Sequence, residues 1–242
     1  MSTKAPNGYV IFEGASRLDG APIVVIATGM AGASRNAKTG DMIQTWILRA
    51  DMPPAEALRT GADSSICGGC PLRGDGAGKA RACYVTVWQA PRSVHDAYVR
   101  GAYPRAALAD LPALFAGRKV RLGAYGDPAA APLALWQAVT SQAESWTGYT
   151  HQWRTFSGQW RALLMASADS MHDAVVAQLG GWRTFRVATD SDRLDAEIVC
   201  PASAEAGKRT DCAHCGLCKG TASGSRKSIV IRAHGSGAKH LA

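Results

Sequence analysis

Met42-Ile43-Gln44-Thr45-Trp46-Ile47-Leu48 is a short run of β-branched and aromatic residues, the composition of a β-strand. Five later runs share that character, each apolar and bounded by Gly, Pro, Asp or Ser: residues 119–125, 148–153, 163–167, 184–188 and 197–200. Helical stretches fall between them, at 93–100 and 107–115 after the first strand, 132–144 after the second and 170–179 after the fourth. Pro132 suits a first helical turn, Ser170 suits an N-cap, and Gly180-Gly181 stops the helix that Ser170 opens. Strands alternating with helices predict an α/β fold with a parallel sheet, and six units predict a six-unit partial (β/α) barrel over residues 42–200. Residues 1–41, with the apolar run Ile23-Val24-Val25-Ile26-Ala27 and a Gly/Ala/Ser-rich loop from Gly32 to Gly40, read as an extension or cap. Residues 201–242 read as a cysteine-rich basic extension.

That frame predicts where the chemistry sits. Cys67, Cys70 and Cys83 follow the first strand, Gly126-Asp127-Pro128 the second, Asp169 the fourth, Asp190-Ser191-Asp192 the fifth and Cys200-Pro201 the sixth. All would lie at the C-terminal ends of strands, where α/β folds build their sites, so both cysteine groups would share one mouth.

The chain has 242 residues, 47% hydrophobic and 19% charged, which excludes disorder, collagen and coiled coil. Its apolar stretches break well before the roughly 20 residues needed to span a bilayer, and Met1-Ser2-Thr3-Lys4 leads into no signal core. A cytoplasmic protein without membrane contact is expected. Lys and Arg outnumber Asp and Glu by 27 to 19, a net charge of +8 that suits nucleic acid or another anionic partner.

Seven cysteines fall in two groups separated by 116 residues. The first is Cys67-Gly-Gly-Cys70-Pro71 followed by Cys83-Tyr84; the second is Cys200-Pro201 followed by Cys212-Ala-His-Cys215-Gly-Leu-Cys218. In a reducing compartment such groups predict ligands rather than disulfides. A Cys-x2-Cys-x2-Cys run with a distant Cys next to Pro has the ingredients of a [4Fe–4S] site, favoured over zinc, for which the third closely spaced thiol is superfluous. His214 reads as a bystander within that run. The first group has three thiols, so either one coordination position is open, as catalysis requires, or a histidine completes a zinc site, with His95 and His151 the candidates.

These motifs resemble the radical S-adenosylmethionine superfamily, in which a three-cysteine cluster follows the first strand of a partial barrel and auxiliary clusters lie behind it. More narrowly, Cys67-Gly-Gly-Cys70, Cys83-Tyr84, Arg121-Leu-Gly-Ala-Tyr-Gly-Asp127-Pro128, Gly148-Tyr-Thr-His151-Gln-Trp153 and the closing cysteines resemble a phage- and plasmid-borne group of unassigned function. The resemblance covers about residues 42–220. It implies an iron–sulfur redox enzyme with one open and one auxiliary [4Fe–4S] cluster, S-adenosylmethionine as cofactor and an electron donor as partner. Gly123, Tyr125, Gly126, Asp127 and Ser167 would then bind the cofactor, with Asp127 and His151 as the catalytic candidates. The superfamily spacing is Cys-x3-Cys-x2-Cys, whereas here it is Cys-x2-Cys-x12-Cys. A strand-end turn is the plainer reading of Gly126-Asp127-Pro128.

His151 alternates with Tyr149 and Trp153 along a strand-like run, which makes it a candidate proton donor or a hydrogen-bonded core histidine. Trp88, Trp136, Trp146, Trp153, Trp160 and Trp182 offer stacking surfaces but suit the core better. Residues 205–242 carry seven Lys/Arg against two acids. Within them Arg226, Lys227 and Arg232 are candidate phosphate contacts in the alternative reading, a non-catalytic nucleic-acid-binding protein with structural clusters or zinc. Ser228-Ile-Val-Ile-Arg232 reads as a strand, which rules out a Walker A loop at Ser223-Gly-Ser-Arg-Lys-Ser228.

Overall fold

A computed structural model describes residues 5–32, 34, 36–74, 78, 80–156, 158–189, 191–235 and 237–241. Met1-Ser2-Thr3-Lys4, two positions of the Gly32–Gly40 loop and Asp190 of the expected strand-end acidic run lie outside them.

The alternation of the sequence settles into one mixed sheet of nine strands. They are β1 (Gly8–Ala15), β2 (Pro22–Thr28), β3 (Ile43–Arg49), β4 (Lys119–Tyr125), β5 (Ser145–Thr150), β6 (Met165–Ala168), β7 (Thr184–Ala188), β8 (Glu197–Val199) and β9 (Ser228–Arg232). Their spatial order is β1-β2-β3-β4-β5-β6-β7-β9-β8. β1, β2 and β3 pair antiparallel, and all later neighbours pair parallel.

The expected six-unit partial (β/α) barrel is therefore wrong. The sheet is open, and only seven α-helices occur among the described residues: α1 (Pro54–Thr60), α2 (Ser64–Cys67), α3 (Ala90–Val99), α4 (Leu111–Leu114), α5 (Leu133–Thr140), α6 (Met171–Leu179) and α7 (Cys212–Cys215). Among the described residues, only short 3-10 turns lie between β5 and β6, and no helix separates β7 from β8. A barrel requires a covering helix after nearly every strand, and these connections cannot supply it.

Residues 1–41 are not a cap, because β1 and β2 continue the sheet. Ile23, Val24, Val25, Ile26 and Ala27 are each 0% exposed, so β2 is covered on both faces, and its unbroken apolar run reflects that burial. Nor is the C-terminal segment appended behind the fold: β9 inserts between β7 and β8. Both expected boundaries, at 41 and 200, thus fall inside a single sheet.

On β4 the two faces separate as far as Gly123. Val120 and Leu122 are buried away from a cavity that Arg121 and Gly123 line; beyond Gly123, at φ +73°, the register with β3 shifts and both Ala124 and Tyr125 border the cavity. Ser170 caps α6 as expected, its hydroxyl accepting from the Asp173 amide at 3.0 Å. The left-handed residue after α6 is Gly181, with φ +79°.

Candidate functional site

Alternate residues of neighbouring parallel strands face a cavity of about 370 Å³. Gly123, Tyr125, Gly126, Asp127, His151 and Ser167 all line it, together with Cys67, Cys70 and Cys83. Residues chosen from separate stretches of sequence are thus brought together.

The first cysteine group is built on α2. Cys67 ends that helix, Gly68 turns the chain at φ +57°, and the Cys70 amide donates to the Cys67 carbonyl at 3.3 Å. The described ends of the interval before Cys83 are drawn together: the Leu72 carbonyl accepts from the amides of both Ala82 (3.0 Å) and Cys83 (2.8 Å). Buried Asp63 holds the two arms of this loop, accepting from Arg73 at 2.6 Å, with Arg81 at 3.9 Å. Twelve intervening residues therefore still return the third thiol to the other two. Burial raises the Asp63 pKa above the usual carboxylate range despite both arginines. Burial likewise pushes the Cys67 thiol well up, with Cys70 and Asp63 adding to it, and raises Cys83, which Arg81 opposes. The Tyr125 hydroxyl is buried with no hydrogen-bond partner and lies on the wall beside these cysteines. An orphaned donor close to Cys67 and Cys83 is the kind of group that a bound cluster's sulfur atoms would satisfy.

The second group lines an adjoining space formed by Cys200, Cys212, Cys215, Cys218, Tyr149 and Phe185 among others; Cys212 and Tyr149 border both cavities. The expected single mouth is met only in part: Cys212 reaches the first cavity, whereas Cys200, Cys215 and Cys218 line only the second. Cys200 follows β8, but the rest of the segment returns to β5, where the Gly148 amide donates to the Cys218 carbonyl at 3.0 Å. Residues 36–40 hold this segment from the other side: the Cys212 and Ala213 amides donate to the Lys38 and Thr39 carbonyls. Arg183 clamps it from below, its guanidinium donating to the carbonyls of Leu217 (2.6 Å) and Gly220 (2.8 Å), the Ser223 hydroxyl (2.6 Å) and the Lys227 carbonyl (2.9 Å). Burial first, then the neighbouring thiols, raise Cys218 to about 12, although a hydrogen bond from Tyr149 opposes the shift. His214 is tied to Asp211 at 2.8 Å with an exposed side chain, turned away from the cysteines. Among the described residues no three Cys, His, Asp or Glu gather as closely as a single metal ion demands. The thiols instead surround spaces.

Gly126-Asp127-Pro128 is a strand-end turn in detail. Asp127 Oδ1 accepts from the Ala129 amide (2.9 Å), and Oδ2 accepts from Thr150 (3.1 Å) and the His151 amide (2.8 Å). Most of the carboxylate's acceptor capacity is used within the protein. A Cβ on Gly123 would lie 2.6 Å from the Gly126 carbonyl oxygen, so packing of the turn accounts for that glycine too. These residues fit a turn that positions β5, not a free carboxylate awaiting a cofactor's amino group. Burial raises the Asp127 pKa against those hydrogen bonds.

His151 Nε2 lies 3.2 Å from Asp169 Oδ1 at the cavity wall. Burial lowers its pKa, but Asp169 and Cys70 outweigh that and hold it well above the ordinary imidazole value. The other histidine considered for the first group, His95, is buried on α3 and does not line the cavity. Of the tryptophans, Trp136, Trp153, Trp160 and Trp182 are core, and Trp88 is exposed; none lines the cavity. Arg226, Lys227 and Arg232 are exposed and stand at the two ends of β9, separated by the strand rather than gathered in one patch. Reasoning on residue types passed over Arg81, Arg121 and Lys38 as site residues. The signal for Arg121 was its two-residue offset from Gly123 on the same strand, although the register shift beyond Gly123 brings Ala124 and Tyr125 both to the cavity.

The chain matches no protein-family model, no curated protein and no solved structure.

Proposed function

We propose that the protein is an iron–sulfur redox enzyme acting on a small molecule in the cavity. Cys67, Cys70 and Cys83 would hold one cluster with an open position, and Cys200, Cys212, Cys215 and Cys218 a second, fully ligated one. The observation that carries this reading is the gathering of all seven cysteines on the walls of two adjoining cavities, with Cys212 bordering both. Bound there, such clusters supply one-electron chemistry, for which an external electron donor is needed. The chain's own residues do the rest. Asp63, Arg73 and Arg81 shape the first ligand loop, Tyr125 offers its hydroxyl to what that loop binds, and Asp169 orients the His151 ring at the wall. S-adenosylmethionine is the cofactor that the sequence resemblance implies; the committed carboxylate of Asp127 gives it no support.

The test is anaerobic purification with quantitation of iron, sulfide and zinc, on wild type and on a variant with Cys67, Cys70 and Cys83 all changed to Ala. Roughly eight irons per chain, with about half lost in the variant, is the expected result. Zinc without sulfide would overturn the enzyme reading in favour of a metal-stapled nucleic-acid-binding protein. Such a protein would lose affinity steeply with salt and on substitution of Arg226, Lys227 and Arg232.

A further inference from the structure

Arg121 projects into the cavity with no carboxylate to meet it among the described residues. It is half-buried on the cavity face of β4, and among the described residues its guanidinium donates only to the Tyr84 hydroxyl. The other inward arginines are committed. Arg73 and Arg81 serve Asp63, Arg186 pairs with Glu197, and Arg183 is consumed by backbone carbonyls. A guanidinium has five donors in a planar fork, and taking it from water with most of them unused is unfavourable unless something else accepts from them.

The surroundings describe what that partner is. The two carboxylates on the cavity wall, Asp127 and Asp169, stand at the C-terminal strand ends and are engaged with Thr150 and His151. Arg121 precedes Tyr125 by four residues, but β3 advances only from Gln44 to Trp46 over that stretch, so it lies about 7 Å back along the strand, near Cys212. On its side the rim carries Lys38 and His234, whose Nζ and Nε2 are 3.1 Å apart, and the His234 ring lies 5.6 Å from that of Tyr84. Next to this cationic end the wall is aromatic: the Tyr149 and Phe185 rings lie 4.4 Å apart, tilted by 49° to each other. The volume, about 370 Å³, falls in the range of small-molecule pockets.

We propose that the cavity binds a small oxyanion, a carboxylate or phosphate monoester carried on a planar apolar body, with the anion on the Arg121 fork and the body against Tyr149 and Phe185. Bidentate pairing of guanidinium with carboxylate or phosphate gives this end both its affinity and its orientation. The body then extends along the strands toward the first cysteine group. The inference rests on the cavity being the ligand site proposed above, and it names the ligand class without depending on which metal the cysteines hold.

The experiment is isothermal titration of the purified full-length protein with phenyl phosphate, benzoate and neutral phenol, on wild type and on Arg121→Gln, Arg121→Lys and, as a control at the exposed end of α1, Arg59→Gln. Iron, zinc and sulfide are measured on the same samples. Wild type should bind at least one of the two anions with Kd below about 1 mM and discriminate against phenol. The stronger of the two identifies the source of the oxyanion. Arg121→Gln should weaken binding about 10- to 100-fold, Arg121→Lys less, and the exposed Arg59→Gln not at all. Because the two Arg121 variants differ in charge geometry at one position, a graded loss between them separates recognition from misfolding, with thermal melts recorded alongside. Affinity unchanged in Arg121→Gln, or no preference for either anion over phenol, overturns the inference. Loss of anion binding with iron and sulfide intact leaves the iron–sulfur reading standing, whereas zinc without sulfide with anion binding retained removes that reading alone.

Discussion

Gly126 follows β4 at φ +83°, and a Cβ there would lie 2.7 Å from Ile47 Cβ and 2.8 Å from the Ile47 carbonyl oxygen. Both the left-handed backbone and the contact with β3 oppose any side chain. Gly126→Ala should therefore cost about 2–4 kcal/mol, a fall in Tm of roughly 5–15 °C by thermal melt. A Tm within a degree or two of wild type would show that the turn relaxes freely. The turn itself was legible in Gly-Asp-Pro. The partners of Asp127 were not, because Thr150 and His151 lie more than twenty positions further on and reach it only once β4 and β5 pair.

At the scale of elements, the Cys212–Cys218 segment has almost no regular structure of its own beyond the four residues of α7. Its position is imposed from outside, by the Lys38 and Thr39 carbonyls and by Arg183. Arg183→Met would strand several carbonyl acceptors at once and should cost about 3–5 kcal/mol. It should also empty the second cysteine group selectively, with metal content falling by about half while the share held by the first group persists. Unchanged content would show that the clamp serves stability alone. The strands β3, β4 and β7 were readable from apolar periodicity, and β9 from Ser228-Ile-Val-Ile-Arg232. β1 was missed: its Gly8–Ala15 run mixes Glu13 and two glycines into the pattern, and its burial comes from its partner β2.

Over the whole molecule, the sheet manages its two edges differently. β8 is only three residues long, while β1 is flanked by residues 104–106, where the Val10 amide donates to the Pro104 carbonyl and the Ala106 amide to the Val10 carbonyl. Glu13 secures that flank, accepting from the Tyr98 hydroxyl and Arg105, each at 2.7 Å. The Tyr98 hydrogen bond first, then Arg105, lowers its pKa below the ordinary glutamate value. With the folded pKa below the unfolded one, this contribution is fully present above about pH 4.3 and is lost as pH falls through the folded value. Glu13→Gln should accordingly melt below wild type near neutrality, and the two Tm–pH curves should converge under acid. Parallel curves down to low pH would show that the carboxylate's charge contributes nothing. No helix among the described residues is long and apolar enough to cross a membrane.

The amino-acid sequence determined the parts whose physics is local: the apolar strands, the Ser170 cap, the Gly-Asp-Pro turn and the two cysteine groups, each set by the periodicity or chemistry of adjacent residues. Tertiary structure alone decided that the sheet stays open, that β9 enters between β7 and β8, that the second cysteine group returns to β5, and that Arg121 faces a cavity with no carboxylate paired to it among the described residues. Those outcomes depend on pairing and burial between segments tens to hundreds of residues apart, where the free energy belongs to the contact and not to either stretch of chain.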